Sequence, residues 1–555
     1  MTAPSPAPDS PPIPHRLVLV LALVLTALNA AVPVTVDDPA YLRQSSWWAA
    51  HPFDPLGGET LLYQTMVPAA ANAAPPVGVA WLALGMCMFG DTPPALKLWL
   101  FPWAWLFVWA VSGVVARASP VLRGPLIALA VLSPATVPSF HFMLDLPALA
   151  LGLTAFGLLT GPDPSRRTAV VAGLLAGLAL QTKYSAIGVV AAGFLAVALA
   201  GRVRLAVAGG AIAVATFTVI EALFSGGATP PLIAYLASRP ARDPDGHFPL
   251  VTARKLVLMA GTAGAALIPL GLFALGARRL WGWVSVVAVL GGWILLALAP
   301  NALVAWLDHV TGGRGINHAN LTIGWMGPAL ALIIILAGTR AWRNGDPFAR
   351  ALTVWLILEC AIAPFVSASA SVRRVLGALV ALTILLSWHA ARSVARDPVR
   401  RTGVLATLAC GILLTLGFVL VDRDSALSEQ RALARARERI HGNAGRIAYV
   451  ADHWGAFQDA ARRAGLIEVS AERAPLVPGD WLLVPFGVEM RHVALDPAHV
   501  ALVDSVPLPH RLPLTTHRSY YDGRQALQRV DPAWVGAHLY RVTAVGIALR
   551  PISSR

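Results

Sequence analysis

L-V-L-V-L-A-L-V-L-T-A-L-N-A-A-V-P-V-T-V-D-D-P-A-Y, Leu17 to Tyr41, runs from an uninterrupted apolar segment directly into two adjacent carboxylates, Asp37 and Asp38. At about 1.5 Å per helical residue, Leu17 to Val34 is long enough to enter and nearly cross a hydrocarbon core roughly 30 Å thick. No small-residue cleavage pattern stands at a suitable place after it, so an uncleaved first membrane helix is expected. The acidic pair then sits at the membrane edge, and the rest of the chain has to explain why.

Working outward, comparable apolar runs recur as far as Val421. They fall at roughly 17–34, 95–116, 124–140, 147–160, 168–182, 185–200, 205–222, 256–276, 281–299, 321–338, 351–366, 375–390 and 403–421, giving about thirteen expected transmembrane helices. The composition agrees: 56% of residues are hydrophobic and 13% charged, against roughly 25% charged in an ordinary soluble protein. The proline-rich segment 1–16 is expected to be a disordered cytoplasmic tail, because proline removes backbone donors and blocks helix formation. From Asp422 to Arg555 the texture becomes mixed. R-I-A-Y-V and W-L-L-V-P have the pattern of short buried strands, and F-Q-D-A-A-R-R-A-G that of an amphipathic helix stopped by Gly465. The expected organisation is therefore an α-helical polytopic membrane domain, 17–421, with a first outer loop at 35–94, followed by a C-terminal soluble α/β domain, 422–555.

The formal net charge of +14 would suggest nucleic acid in a soluble protein, but here the position of the arginines decides. Arg117/Arg123, Arg166/Arg167, Arg202/Arg204, Arg278/Arg279, Arg340/Arg343/Arg350 and Arg392/Arg396/Arg400/Arg401 all fall in turns on one side of the expected bundle. That is the asymmetry of cytoplasmic loops, so the basic excess is topological and no nucleic-acid partner is indicated. It places the N-terminus in the cytoplasm and puts the acidic pair, the longer loops and the C-terminal domain outside. The three cysteines, Cys87, Cys360 and Cys410, lie in apolar surroundings and outline neither a disulfide framework nor a metal site.

An acidic pair just beyond a membrane helix lies where a lipid-linked substrate presents its head group, and two carboxylates can divide labour between proton transfer and orientation. A wet interfacial loop with Trp47, Trp48 and Tyr63 at headgroup depth is the plainer alternative. Lys183, in the short turn A-L-Q-T-K-Y-S-A-I, and Arg373 and Arg374, in A-S-A-S-V-R-R-V-L-G, are cations on the same expected outer side. A lysine drawn toward the bilayer centre costs about 2.5–3.5 kcal/mol, so Lys183 either snorkels or meets an anion. Lys97 begins a span and has water within reach. Asp145 precedes Pro147 in M-L-D-L-P, a good helix start, with His141 four residues before it. Glu221 ends an apolar span, and His309, Arg314 and His318 decorate a glycine-bearing outer loop. A divalent metal on Asp37, Asp38 or Glu59 with a distant histidine is conceivable, although no ligand spacing supports it.

Asp37-Asp38-Pro39-Ala40-Tyr41 resembles the Asp-Glu-x-x-Tyr signature after the first helix of the GT-C superfamily, the polyprenyl-phosphate-sugar glycosyltransferases. Among these are protein O-mannosyltransferases, lipid A aminoarabinose transferases and galacturonosyltransferases. Ala74-Pro75-Pro76 with Trp81 and Phe89-Gly90, then L-S-P-A-T-V-P-S-F-H-F-M-L-D-L-P, then G-L-L-A-G-L-A-L-Q-T-K-Y resemble further elements of that family in the same order. S-V-R-R-V-L-G is similar only loosely to a later Arg-Tyr-Leu-Leu-Pro element. Asp38 stands for a usual Glu, Lys97 for Arg, Arg374 for Tyr and Gly377 for Pro. G-R-I-A-Y-V-A-D-H-W-G-A-F-Q resembles an outer C-terminal module of a bacterial branch, with His453 and Trp454 as its surface candidates.

The resemblance implies a GT-C bundle in a bacterial inner membrane, with segment 75–90 as an interfacial helix. It implies transfer of a sugar from a polyprenyl-phosphate donor to a lipid, glycan or protein acceptor hydroxyl. Asp37 matches the catalytic position, Asp38 neighbours it, and Tyr41, Asp145, Lys183, Arg373, Arg374 and Lys97 become candidate substrate-binding residues. Two other classes remain open: a transporter of lipid or envelope precursors, which would be expected to show internal repeats, and a non-catalytic lipid-binding relative.

Overall fold

The computed structural model describes residues 15–35, 37–62, 64–69, 75–225, 233, 250–299, 306, 309–310, 322–366, 371–442, 444–450, 455–470, 476–486, 493–508, 511–515, 528–529, 535–543 and 549–551. Tyr63, Ala74, Arg314, His318, His453 and Trp454 lie outside the described residues.

The expected spans coincide at least in part with helical segments, although 124–140 is helical only over Arg123–Val131 and Val137–Ser139. Among the described residues, six helices are long and apolar enough to cross a membrane, or seven if one bent pair is a single span, where the apolar runs alone suggested roughly thirteen. Much of the difference is one of length. His15–Ala30, Asp145–Leu159 and Tyr184–Leu199 are apolar but shorter, because turns that place polar groups cut into the ends of these runs. The bent pair, Thr252–Ala263 with Leu267–Ala274, turns by 78°. Pro269 lies in the first turn of the second half and cannot donate backward, and Gly264 sits where a Cβ would come 2.6 Å from a Leu379 methyl.

Helix Arg166–Thr182 packs on Val203–Ser225 through the small-residue spacing Gly173 and Gly177. Cβ atoms at these two positions would stand 2.5 Å from the Gly209 carbonyl oxygen and from Thr216. With little hydrophobic drive between helices in lipid, such close backbone approach supplies the packing energy. It also fixes the end of the helix from which Lys183 emerges.

The expected domain boundary at 421/422 falls inside a helix. Arg400–Ile440 continues for 41 residues, because S-A-L-S-E-Q-R-A-L-A-R-A-R-E-R-I favours helix after the apolar run ends. The first break is Gly442 at φ +87°. The α/β unit packs on this extension, whose Leu433, Ala436 and Ile440 join Tyr449, Phe457, Trp481 and Leu539 in one apolar core. Its five-stranded sheet runs Ile467–Val469, Ile447–Val450, Trp481–Pro485, Val535–Val542, Val500–Leu508. The first three strands are parallel, and the last two pair antiparallel. Helix Gly455–Arg463 lies between the first parallel pair in the chain.

Candidate active site

Asp37 closes the turn after the first helix and stands as N-cap of helix Asp38–Ala50, with Pro39 in the first turn, where a missing N–H costs nothing. One turn along that helix, Tyr41 points to the same place. Asp145 opens helix Asp145–Leu159, near the positive end of its dipole. Lys183 is the extended residue at which Arg166–Thr182 stops, and a 3₁₀ turn, Tyr184–Ala186, follows it. Arg373 and Arg374 lie in the first turn of helix Val372–Arg396.

These residues, from four separate parts of the chain, form one connected cluster. Arg373 Nη1 lies 2.6 Å from Asp37 Oδ2. Lys183 Nζ donates to Asp145 Oδ2 at 2.6 Å and to the Tyr41 hydroxyl at 3.3 Å, while Ser185 donates to the other Asp145 oxygen at 3.4 Å. Asp145, Ser185, Arg373 and Arg374 border a cavity of about 40 Å³. Asp37 keeps 20% of its side chain exposed, against 3% for Asp145, so it is the more accessible carboxylate. Arg374 Nε is buried with no hydrogen-bond partner among the described residues.

Asp38 and Lys97 do not join this cluster. Asp38 is fully buried; its Oδ2 accepts from the Thr35 amide at 3.0 Å and its Oδ1 from the Phe142 amide at 3.1 Å. Burial pushes its carboxyl above the ordinary range, against the pull of His141 and Lys97. Lys97, expected to reach water or substrate, is 1% exposed and donates to the carbonyls of Asn29, Val32 and Pro33 at 3.2, 2.5 and 3.1 Å. An ammonium has three donors, and all three are occupied. Both residues therefore shape the exit of the first helix and hold Asp37 in position without facing the cavity.

Other expectations resolve similarly. Asp145 is a helix-start residue, but its carboxylate is taken by Lys183 and Ser185 and caps nothing. His141 is buried with Nε2 3.5 Å from Asp422 Oδ2. Glu221 does not snorkel; it accepts from Gln181 at 2.7 Å. His309 is exposed. Among the described residues no group of three His, Cys, Asp or Glu side chains is arranged to hold a metal ion, so no step is assigned to one.

One residue was missed. Glu359, inside the apolar helix Pro347–Val366, also lines that cavity. It accepts from the Trp355 indole at 2.9 Å, and a Cβ on Gly188 or Gly377 would approach its carboxylate to 2.5 Å. A carboxylate within a span is expensive and marks function more often than packing. That cost was the available signal.

No family model matches the chain, and no curated protein matches its sequence. Among solved structures, similarity extends to the oligosaccharyltransferase of Archaeoglobus fulgidus complexed with Zn and sulfate, at 13% identity and TM-score 0.44, covering 84% of this chain and 68% of that one. ArnT from Cupriavidus metallidurans bound to undecaprenyl phosphate is similar at 14% identity and TM-score 0.37, covering 85% and 92%. The archaeal oligosaccharyltransferase AglB from Archaeoglobus fulgidus, in complex with an inhibitory peptide and a dolichol-phosphate, is similar at 13% identity and TM-score 0.43, covering 85% and 69%. Likenesses this loose leave the chemistry to be argued from the residues of the cluster.

Proposed function

We propose that this chain is a membrane glycosyltransferase of the GT-C type. It moves a sugar from a polyprenyl-phosphate donor to an acceptor hydroxyl with inversion, at the outer face of a bacterial inner membrane. The observation that carries the reading is the convergence of Asp37, Tyr41, Asp145, Lys183, Arg373 and Arg374 into one cluster beside a cavity. These are six of the eight residues that the motif resemblance singles out, with Asp38 and Lys97 lying apart, and composition alone gives no reason for the six to meet.

The chemistry asks for two things. The acceptor oxygen forms a bond to the anomeric carbon while the bond from that carbon to the phosphate oxygen breaks, and the electron pair leaves with the phosphate. The departing polyprenyl phosphate needs no proton, but its charge needs cations fixed in advance. Arg374, with an unsatisfied Nε, Arg373 and Lys183 fill that role. The acceptor proton needs a base on the attacking face, as in inverting glycosidases. Asp37 fills this role: it is accessible and oriented by Arg373.

The test begins with mass spectrometry of lipids and glycans from cells lacking the protein, where a sugar is lost and its polyprenyl-phosphate donor accumulates. Reintroducing Asp37→Asn, which keeps shape but cannot accept the proton, leaves the donor accumulated, with transfer reduced about 10²- to 10⁴-fold. Full restoration by Asp37→Asn overturns the base assignment. Unchanged glycans and lipids in cells lacking the protein overturn the transferase reading itself.

A further inference from the structure

Helix Val372–Arg396 carries Arg373 at one end, and at its other end, about 35 Å away by helical rise, lies a second and larger concavity. It has a volume of about 1090 Å³, just above the roughly 300–1,000 Å³ usual for ligand sites. Arg340 and Arg343 come from the end of Met326–Arg343, Arg392 and Arg396 from the last turns of Val372–Arg396, and Arg400 from the start of Arg400–Ile440. Two carboxylates, Asp346 and Asp397, oppose these five cations. Asp346 pairs with Arg392 at 3.0 Å, and Asp397 with Arg400 at 3.2 Å and with Arg279 at 2.7 Å. Among the described residues no carboxylate pairs with Arg340, Arg343 or Arg396.

Charge asymmetry across a membrane explains why arginines gather at this end. It does not by itself explain why five of them, four still exposed to solvent, border one concavity. The Arg392 guanidinium lies 3.5 Å from the ring centre of buried Trp388, whose indole donates to Asp346 at 3.0 Å. Arg340 donates to the Leu275 carbonyl, and Arg400 to the Phe273 carbonyl at 3.0 Å. Guanidinium groups fixed in this way have already lost the rotamer freedom that anion binding would cost, and their planar forks suit phosphate.

The surroundings indicate depth. Trp342, beside Arg343, is exposed, as are Leu280, Trp281 and Trp283, which follow Arg279. The Trp283 ring meets Phe273 edge-on at 5.8 Å, and the Phe273 carbonyl accepts from Arg400. Exposed tryptophans of this kind sit at the membrane–water interface, and basic pockets between helices at that depth suit anionic lipid head groups.

We propose that this cavity binds a phosphate-bearing anion, namely the head group of an anionic phospholipid. The site is independent of the transferase reading and stands or falls apart from it.

The test is native mass spectrometry of the full-length protein in detergent with phosphatidylglycerol, phosphatidylcholine, or phosphatidylglycerol plus glycerol 3-phosphate. Wild type retains phosphatidylglycerol over phosphatidylcholine. Arg343→Gln with Arg396→Gln lowers that retention about tenfold or more. Arg166→Gln with Arg167→Gln, which removes equal charge from exposed positions away from the cavity, changes it by less than about twofold. Displacement by glycerol 3-phosphate supports the phosphate site but assigns it to soluble phosphate esters. Equal losses in the two double variants, or none in the cavity variant, overturn the proposal. Arg343→Gln alone serves if unfolding midpoints show the cavity double variant to be misfolded.

Discussion

Lys97 and Lys183 are both buried lysines near the acidic end of the bundle, and their partners separate them. Lys97 is saturated by three backbone carbonyls at the end of the first helix, so its replacement by Met leaves buried acceptors unpaired, at about 1–3 kcal/mol for each group that finds no new partner. Lys97→Met is expected to lower the unfolding midpoint in detergent while the folded fraction binds donor normally. Lys183 instead bridges Asp145 and Tyr41 at the cavity. Lys183→Met alone strands the buried Asp145 carboxylate and destabilises the fold as well, so the informative variant is Lys183→Met with Asp145→Asn, which removes both charges. That pair is expected to keep most of the stability and lose donor affinity about ten- to a hundredfold, measured by donor titration. Unchanged donor affinity would leave Lys183 a purely structural ion-pair partner. The sequence singled out Lys183 because a charge between two apolar helices has few harmless explanations, and Lys183 does contact Asp145 and Tyr41 beside the cavity. It misplaced Lys97 because the carbonyls that hold it belong to residues 29–33, and nothing local announces them. Glu359 was lost within an otherwise uniform apolar run.

At the scale of elements, the helix that carries Tyr41 is held from outside by the C-terminal unit. Arg43 pairs with Glu468, which also accepts from the Tyr449 hydroxyl at 2.9 Å and from Gln458 at 3.2 Å. Farther along the same outer segment, Asp91 receives Arg462 at 3.0 Å and Arg463 at 3.3 Å. Helix Gly455–Arg463 and the strand after it thus clasp the first outer segment at two points on either side of helix Pro76–Phe89. Glu468 and Arg43 retain about a fifth of their side-chain exposure, so the pair should be modest. A double-mutant cycle of Arg43→Met and Glu468→Gln on unfolding is expected to give a coupling of about 0.5–1.5 kcal/mol. Transfer should fall more in Arg43→Met than donor affinity does, because the clasp positions a helix and touches no substrate. A coupling indistinguishable from zero would mean that apolar packing alone seats the α/β unit. None of this was legible in the sequence, which supplied the strand–helix–strand pattern but not the surface it rests on. The continuation of the helix to Ile440 was legible in the absence of Gly and Pro after Gly417, and the end of the apolar run at Val421 obscured it.

Over the whole molecule, the arginine turns are tied together by their own contacts. Arg117 donates to the Thr160 carbonyl and lies 4.6 Å from the ring centre of Phe348, Arg202 reaches Asp163, Arg392 reaches Asp346, and Arg279 and Arg400 share Asp397. Turns as distant in the chain as those of Arg117 and Phe348 are therefore neighbours at one end of the bundle. Asp37, Asp145, Lys183 and Arg373 gather at the other end, one length of helix Val372–Arg396 away. That length, about 35 Å, slightly exceeds a hydrocarbon core of roughly 30 Å, so the two charged ends fit on opposite sides of a bilayer. Cytoplasmic loops hold excess arginine, and on that ground we propose that the cluster and the α/β unit face outward. Reporter fusions at residues 166 and 396 should behave as cytoplasmic, and a fusion after Gly442 as extracytoplasmic. A cytoplasmic signal from the last fusion would reverse the molecule, place Asp37 on the inner face, and remove the argument that its acceptor is an envelope component.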